Sequence, residues 1–258
     1  MGGSSVSDVM TMLSKRRRFV ASLHDAPREK PALAEDCDVA RSTVDRAVRE
    51  LEVAGLVERG CDGYELTTVG ELLYEQFREF ERKADAICSA EEILAMLPDG
   101  DLVDPAMLVG GDLTTADIHA PDRPMQETVD MVSDAVRVRG VSPAAHGAYV
   151  EVFDERIHDS GMAVELIFTP DVYMELATTY AEYMDREVPE YVTFYQIDEL
   201  PPHGILVVEH EDGTEEASFG AYTDSGLQAM VRNTSEEAVR WAESRFEHFR
   251  EQATAFQL

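Results

Sequence analysis

The feature that most constrains the fold is an amphipathic segment, residues 42–54, with a glycine directly after it. Its apolar residues recur at i, i+3, i+4 and i+7, the spacing of one buried helix face: Val44, Ala47, Val48 and Leu51. Ser42 and Asp45 have the three-residue spacing of a capping box and predict the helix start. Gly55 accepts the left-handed conformation that ends many helices. The sequence therefore predicts a helix over residues 42–54.

A short hairpin is predicted directly after this helix. Residues 56–59 and 64–67 have the pattern of two strands, and the turn between them, residues 60–63, contains two glycines. Before the helix, the pattern predicts a first helix that ends before Pro27, a short second helix over residues 31–36 and a tight turn over 37–39. The apolar residues of the first helix are Val6, Val9, Met10, Leu13, Phe19, Val20 and Leu23. The order of helix, helix, turn, helix and hairpin is that of a winged helix-turn-helix domain, which we place at residues 7–67.

The polar side of the third helix is the candidate DNA-reading surface. Arg41, Ser42, Thr43 and Arg46 lie in its first two turns, the part of a recognition helix that reaches base edges in the major groove. Arginine pairs with the O6 and N7 atoms of guanine, and hydroxyls bond to phosphates or bases. Arg59, in the hairpin, is placed to touch a flanking phosphate.

Residues 40–70, ARSTVDRAVRELEVAGLVERGCDGYELTTVG, resemble the recognition helix and wing of archaeal and bacterial winged-helix regulators. The resemblance covers about sixty residues. The resemblance implies DNA binding. The alternative is a winged helix that binds protein. Three arginines on the exposed side disfavour this alternative, because the chain as a whole has few cations.

The distribution of charge is uneven. The net charge is −30, yet residues 1–60 contain ten Lys and Arg against ten Asp and Glu, so all the excess acid lies in the remaining 198 residues. Only three lysines occur in the whole chain. Such acidic, lysine-poor surfaces suit a halophile, because concentrated salt screens carboxylate repulsion. The less favoured interpretation is an acidic protein from an organism that lives at ordinary salt concentrations.

A long helix is predicted to begin near Val69 and to link two domains. Its apolar residues alternate at steps of four and three, the heptad spacing of a helix pair: Leu73, Phe77, Phe80, Ala84 and Ile87. This pattern predicts a dimerisation element, residues 68–98, that sets the distance between two recognition helices. The alternative is that the same stripe packs on the chain's own C-terminal domain. Ser89 and Glu92 predict the capping box of a second short helix.

Residues 99–258 are predicted to form an α/β domain. Expected strands span residues 106–109, 136–141, 164–168 and 192–197, with helices near 125–135, 147–159 and 171–185 between them. This alternation predicts βαβ units and a largely parallel sheet. Three further strands over 205–209, 217–222 and 227–231 and a final amphipathic helix complete the domain. The fold class is thus α+β or α/β, with a winged helix, a linker helix and an α/β domain.

The segments LPPHGILVVEHEDG, FGAYTDSG and SEEAVRWAESRFEHFREQA resemble the C-terminal domain of archaeal winged-helix regulators named from a regulator of methanogenesis and abundant in haloarchaea. The resemblance implies an effector-sensing and dimerising domain on a fold related to the phospholipase D half-domain. That enzyme's motif, histidine with lysine two residues later, is absent from the sequence. We therefore expect no enzyme activity, no cofactor and no metal, and we expect His203 and His210 to be surface residues.

Cysteine content and hydropathy bear on location. Three cysteines, Cys37, Cys61 and Cys88, make no paired disulfide framework and no zinc motif, and the sequence contains no long apolar run. A cytoplasmic protein without membrane contact is expected. Cys37 and Cys61 are candidates for redox sensing. The favoured interpretation is that each is a small residue that fills a turn.

Together these patterns predict a homodimeric, sequence-specific DNA-binding transcription regulator whose C-terminal domain responds to an unidentified small molecule. The alternative is a winged-helix adaptor that binds the transcription machinery. Activation or repression, the operator and the target genes leave no trace in the sequence.

Overall fold

The computed structural model describes residues 5–98, 103–184 and 186–256 and forms two compact units, Met1–Arg82 and Lys83–Leu258. The boundary lies inside one long helix. The division of the sequence into residues 7–67, 68–98 and 99–258 therefore stays a prediction. No helix in these ranges is long and apolar enough to cross a membrane.

The N-terminal unit consists of helices followed by a two-stranded antiparallel sheet. In chain order its elements are α1 (Val6–Lys15), α2 (Arg17–Asp25), α3 (Lys30–Asp36), α4 (Arg41–Val53), β1 (Val57–Arg59), β2 (Tyr64–Leu66) and α5 (Thr68–Ser89), the last of which continues into the second unit. In β1 and β2, Val57 pairs with Leu66 and Arg59 with Tyr64. The short helix α3, helix α4 and the hairpin follow one another in the predicted order. The expected single first helix is wrong, because the chain breaks at Arg16, which is buried and bonded to Glu50.

The C-terminal unit is a mixed α+β structure built on one sheet. Its elements are α6 (Glu91–Leu94), α7 (Pro105–Leu108), β3 (Asp112–Thr115), α8 (Arg123–Val132), β4 (Ala135–Val141), α9 (Gly147–Ser160), β5 (Ala163–Phe168), α10 (Pro170–Thr179), α11 (Ala181–Met184), β6 (Val192–Gln196), β7 (His203–His210), β8 (Glu215–Thr223), β9 (Gly226–Asn233), α12 (Glu236–Arg250) and β10 (Thr254–Phe256). The sheet has eight strands among the described residues, in the order β10-β6-β5-β4-β7-β8-β9-β3.

The sheet corrects the expectation of a largely parallel arrangement. Among the described strands, β4 is parallel to β5 and β5 to β6, and every other pairing is antiparallel. The predicted strand over 106–109 is also wrong, because Asp104 caps helix α7 through the amide of Ala106 at 2.8 Å, with Pro105 at the first helical position. The predicted box of Ser89 and Glu92 is absent, and Ala90 is the N-cap of α6.

Both faces of the sheet are covered. On one face, Ile205, Val207 and Phe219 pack with residues of α12, α7 and α6. On the other, Leu206, Val208 and Met230 pack with residues of α8 and α9. His203, expected at the surface, is 4% exposed, and its ring centroid lies 5.0 Å from that of Phe219. Because both faces of the sheet are covered here, β7 is apolar on both of its sides.

Candidate nucleic-acid interface

Helix α4 is anchored by one face in the core of the N-terminal unit. Val44, Ala47, Val48 and Leu51 are each at most 1% exposed. They pack with Leu33 of α3 and with residues of α1, α2 and α5. Because this face is fixed, the opposite face of α4 is held outward in a defined orientation.

The outward face carries a stripe of exposed residues at i, i+4 and i+7. They are Ser42, Arg46 and Arg49. Arg41, at the first helical position, is exposed on the flank, while Thr43 is half-buried. Arg49 was not among the residues predicted to contact DNA, yet it lies three residues after Arg46 on the same face. The i+3 spacing from Arg46 was the signal that could have identified it.

The N-terminus of α4 differs from the predicted capping box. The N-cap is Ala40, which has no side-chain cap, so Ser42 lies inside the first turn. Asp45 does not reach back to the backbone, because its carboxylate accepts a 2.7 Å bond from Lys30 of α3. Helix starts without a side-chain cap leave backbone amides available to solvent or to an anion.

Most cations of the N-terminal unit are neutralised by carboxylates of the same unit. Residues 1–60 hold ten Lys and Arg. Six of them form ion pairs: Lys15 and Arg16 with Glu50, Arg17 with Glu81, Arg28 with Asp36, Lys30 with Asp45, and Arg59 with Glu29. Arg18 donates to the carbonyl oxygen of Cys37 at 3.5 Å.

Among residues 1–60, the three cations that remain are Arg41, Arg46 and Arg49, all on α4. Across the described part of the chain, none of them has a carboxylate within the 4.0 Å that defines an ion pair. Their guanidinium groups are therefore available to an external anion. Sequence alone showed a neutral N-terminal segment, and the structure shows that its free positive charge is concentrated on one helix.

Arg59, predicted to contact a phosphate, is held within the hairpin. Its guanidinium makes two bonds to the Glu29 carboxylate, at 2.7 and 3.0 Å, and lies 4.8 Å from the centroid of the Tyr64 ring. The hydrogen bonds to Glu29 raise the pKa of Arg59 above its usual value. A phosphate would have to displace Glu29, so the role of Arg59 stays a prediction.

The hairpin itself is tied to the segment before α3. The backbone of Tyr64 exchanges two hydrogen bonds with that of Arg28, at 2.8 and 2.9 Å. Gly63 makes this approach possible, because a Cβ atom there would lie 2.6 Å from the Arg28 carbonyl carbon, and its φ is +136°.

The residues predicted for dimerisation do not share one environment. Phe77 is 4% exposed and Leu73 is partly buried, both in the core of the N-terminal unit, so the expected partner-facing role of Phe77 is wrong. Phe80 and Ile87 are 58% and 41% exposed, and Ala84 is half-buried. Val69 and Leu72, not singled out from the sequence, are 57% and 59% exposed. The exposed apolar residues of α5 therefore differ in part from the residues that were predicted for dimerisation.

The cysteines of this unit differ in accessibility. Cys37 is 1% exposed, and burial raises the pKa of its thiol above the usual value. A buried, protonated thiol is a poor nucleophile. Cys61 is exposed at the tip of the hairpin. The geometry favours packing as the role of Cys37.

The chain is similar to known proteins in both units. Residues 121–252 match the model of the methanogenesis regulatory protein FilR1, middle domain, and residues 5–87 match the HVO_A0261 N-terminal domain. A search of curated proteins finds no match.

Solved structures are similar at low identity. One is TrmBL2, described as an archaeal chromatin protein, at 15% identity and a TM-score of 0.43, over 96% of this chain and 99% of that one. Another is NucT from Helicobacter pylori, at 10% identity and a TM-score of 0.44, over 57% of this chain and 98% of that one. A third is the quinone-bound YodB from B. subtilis, at 27% identity and a TM-score of 0.28, over 31% of this chain and 93% of that one. These TM-scores are below 0.5, so the family assignment rests on the family models. By the match over residues 121–252, this chain belongs to the family of the methanogenesis regulatory protein FilR1, middle domain.

Proposed function

We propose that this chain is a sequence-specific DNA-binding transcription regulator, in which residues 7–67 are a winged helix-turn-helix domain and α4 is the recognition helix. The observation that carries the proposal is the set of three unpaired arginines on α4, in a segment, residues 1–60, whose other cations are paired with carboxylates or bonded to a carbonyl oxygen. Membership of a regulator family supports it. The protein acts in the cytoplasm and has no catalytic role.

The proposed contacts divide by position on α4. Arg46 and Arg49 lie on the outward face and reach base edges, where a bidentate arginine discriminates guanine from other bases by about 1–3 kcal/mol. Arg41 and Ser42, in the first turn, and Thr43 contact the phosphate backbone together with free amides. The three arginines give the surface a charge opposite to that of DNA despite the chain's net charge of −30.

We also propose that the protein is a homodimer. The exposed apolar residues Val69, Leu72 and Phe80 lie on one side of α5 within the first unit, at steps of three and eight residues, and an apolar helix side of this kind can pair with a copy of itself. Pairing of two α5 helices would set two α4 helices on half-sites of a symmetric operator. A signal that changes this pairing would change operator affinity.

The test begins with selection of bound sequences from a random DNA pool by the full chain in molar KCl. Binding of the selected duplex is then measured by fluorescence anisotropy for Arg46→Ala and Arg49→Ala. Each is expected to weaken binding about 5- to 150-fold and to relax specificity at separate base positions. Arg46→Lys keeps the charge but loses the bidentate geometry, and is expected to lose most of the same specificity.

The matched control is Arg240→Ala, which removes an exposed arginine of α12 that is paired with Glu236. Its affinity should equal that of the unaltered chain. If no sequence is enriched, or if the α4 variants bind as tightly as the control, the protein is instead an adaptor that binds protein through its winged helix.

A further inference from the structure

A cavity of about 160 Å³ lies in the C-terminal unit, on the face of the sheet that packs with α8 and α9. Its walls are apolar side chains from the sheet and from the helices on that face. They include Leu166, Phe194, Leu206 and Met230 from strands and Phe153 and Leu176 from helices. An engineered apolar cavity of about 150 Å³ takes up benzene, so this volume suits one aromatic ring.

Two glycines of the sheet are among the residues that line the cavity. Gly204 of β7 and Gly220 of β8 are direct partners in the register of the sheet, and both line the cavity. The ring of Tyr222 covers both positions, because its Cε2 atom would lie 3.2 Å from a Cβ atom at Gly204 and 3.6 Å from one at Gly220. Glycine within a strand marks a close approach of another backbone or of a ligand. A Cβ atom at Gly220 would lie 2.8 Å from a methyl group of Leu227, so the position is also restricted to glycine by its neighbour.

One hydroxyl in this floor has no protein partner. Ser218 lies two residues before Gly220, hence on the same face of β8, and lines the cavity. The residue is 5% exposed. Its side chain makes no hydrogen bond within the ranges that the structure describes. Because Ser218 lines the cavity, its unbonded hydroxyl can bond to a group that enters from outside the chain.

The other polar groups at the cavity are satisfied or uncharged. Tyr149 donates to Thr128 at 3.3 Å, and Thr128 donates to the sulfur of Met230 at 3.1 Å. Burial lowers the pKa of His146, so its imidazole is neutral at neutral pH. Arg186 is paired with Asp154 at 2.6 Å.

No unpaired charge therefore faces the cavity among the described lining residues. An ionised carboxylate or phosphate would lose its hydration without a compensating partner, which is costly. A sugar would leave several hydroxyls against apolar walls. A ligand with one ring and one hydroxyl suits the volume and supplies a partner for the Ser218 hydroxyl.

We propose that this cavity binds an uncharged, largely apolar molecule about the size of one aromatic ring, with one hydroxyl that pairs with Ser218, as in a phenol. The site goes beyond the proposed DNA binding and does not depend on it. Binding at this face would stiffen the contacts of α9 and α10 with the sheet, since Phe153 and Leu176 belong to those helices.

The experiment is isothermal titration calorimetry of the full chain, without DNA, in molar KCl at neutral pH. The probes are phenol, benzene and benzoate. Phenol and benzene should each bind one per chain, phenol more tightly, while benzoate should bind at least about tenfold more weakly than phenol. Ser218→Ala should weaken phenol binding about three- to tenfold and leave benzene binding unchanged. Ser225→Ala, an exposed serine in the following turn, is the matched control and should change neither.

A second variant tests the position of the site. Ser218→Leu puts a larger side chain into the cavity and should abolish binding of both neutral probes, while an unchanged far-ultraviolet circular dichroism spectrum confirms folding. Absence of heat beyond dilution for phenol and benzene refutes the site. Equal phenol affinity in Ser218→Ala and the control refutes the role of the hydroxyl, and benzoate affinity equal to that of phenol refutes the neutral ligand class.

Discussion

Replacing Phe77 and Phe80 one at a time by alanine separates the two sides of helix α5. Phe77 is 4% exposed in the core of the N-terminal unit, whereas Phe80, three residues later, is 58% exposed. Truncation of a buried phenylalanine costs about 3–5 kcal/mol through lost burial and the cavity that remains. Truncation of an exposed side chain changes stability by about 0.5 kcal/mol or less. The two variants therefore differ by roughly 2.5 kcal/mol or more in the stability of one unit.

Native-state hydrogen exchange measured by mass spectrometry can locate this difference. Because 1.4 kcal/mol is a factor of ten, Phe77→Ala should raise exchange from the most protected amides of residues 5–82 about 100- to 3,000-fold. Phe80→Ala should leave these rates within about threefold of the unaltered chain. In sedimentation velocity, however, Phe80→Ala should shift the dimer towards monomer. The reasoning fails if Phe77→Ala leaves exchange unchanged, or if Phe80→Ala destabilises the unit as much as Phe77→Ala does.

Three other predictions concern backbone geometry and pH. Gly55→Ala should lower the free energy of unfolding by about 1–2 kcal/mol, because φ is +75° and no neighbouring atom lies within 4 Å of the added Cβ. Gly70→Ala should cost more, about 2–3 kcal/mol, since its Cβ would lie 2.0 Å from the carbonyl oxygen of Leu56; urea unfolding that ranks the two in the opposite order contradicts both. Burial lowers the pKa of His146 below its ordinary 6.5, so the unfolded chain takes up the proton first and stability should decrease as the pH falls through and below 6.5. His146→Gln should flatten that part of a melting-temperature profile, and an unchanged profile would exclude His146 as its origin.

Local patterns predicted elements whose stability comes from nearby residues. The stripe of Val44, Ala47, Val48 and Leu51 is buried as expected, and the helix that carries it spans Arg41–Val53. The break between α1 and α2 could not be found in this way. It depends on Arg16 turning inward to bond with Glu50, thirty-four residues further along the chain. Apolar spacing alone continues through such a break.

Other errors came from signals that compete. The aspartate and proline before residues 106–108 are a helix start, and they outweighed the short apolar run that suggested a strand. The edge strands β3 and β10, of four and three residues, are too short to show a period. β3 is held in the sheet by pairing with β9, and β10 by pairing with β6. Both partners are distant in the sequence, so local patterns could not indicate these pairings.

The candidate interface was predicted in part. Helical periodicity placed Arg46 on the outward side and, applied one turn further, would have included Arg49. It could not show that Arg59 is paired with Glu29, because that contact joins residues thirty positions apart. Likewise, the unbonded hydroxyl of Ser218 is visible only once the sheet brings Gly204 and Gly220 together.

The internal pairing of cations in the N-terminal unit bears on how the protein tolerates salt. Affinity for duplex DNA falls with salt in proportion to the number of phosphates neutralised, with a slope of about −0.9 for each. Arg41 is the one arginine of α4 proposed to contact phosphate, so each chain contributes a slope of about −0.9 and a loss of roughly eightfold between 0.2 and 2 M KCl, which is mild beside proteins that make six to ten such contacts. A surface with few unpaired charges loses little when ions crowd the solvent, and recognition then rests on shape and hydrogen bonds to bases.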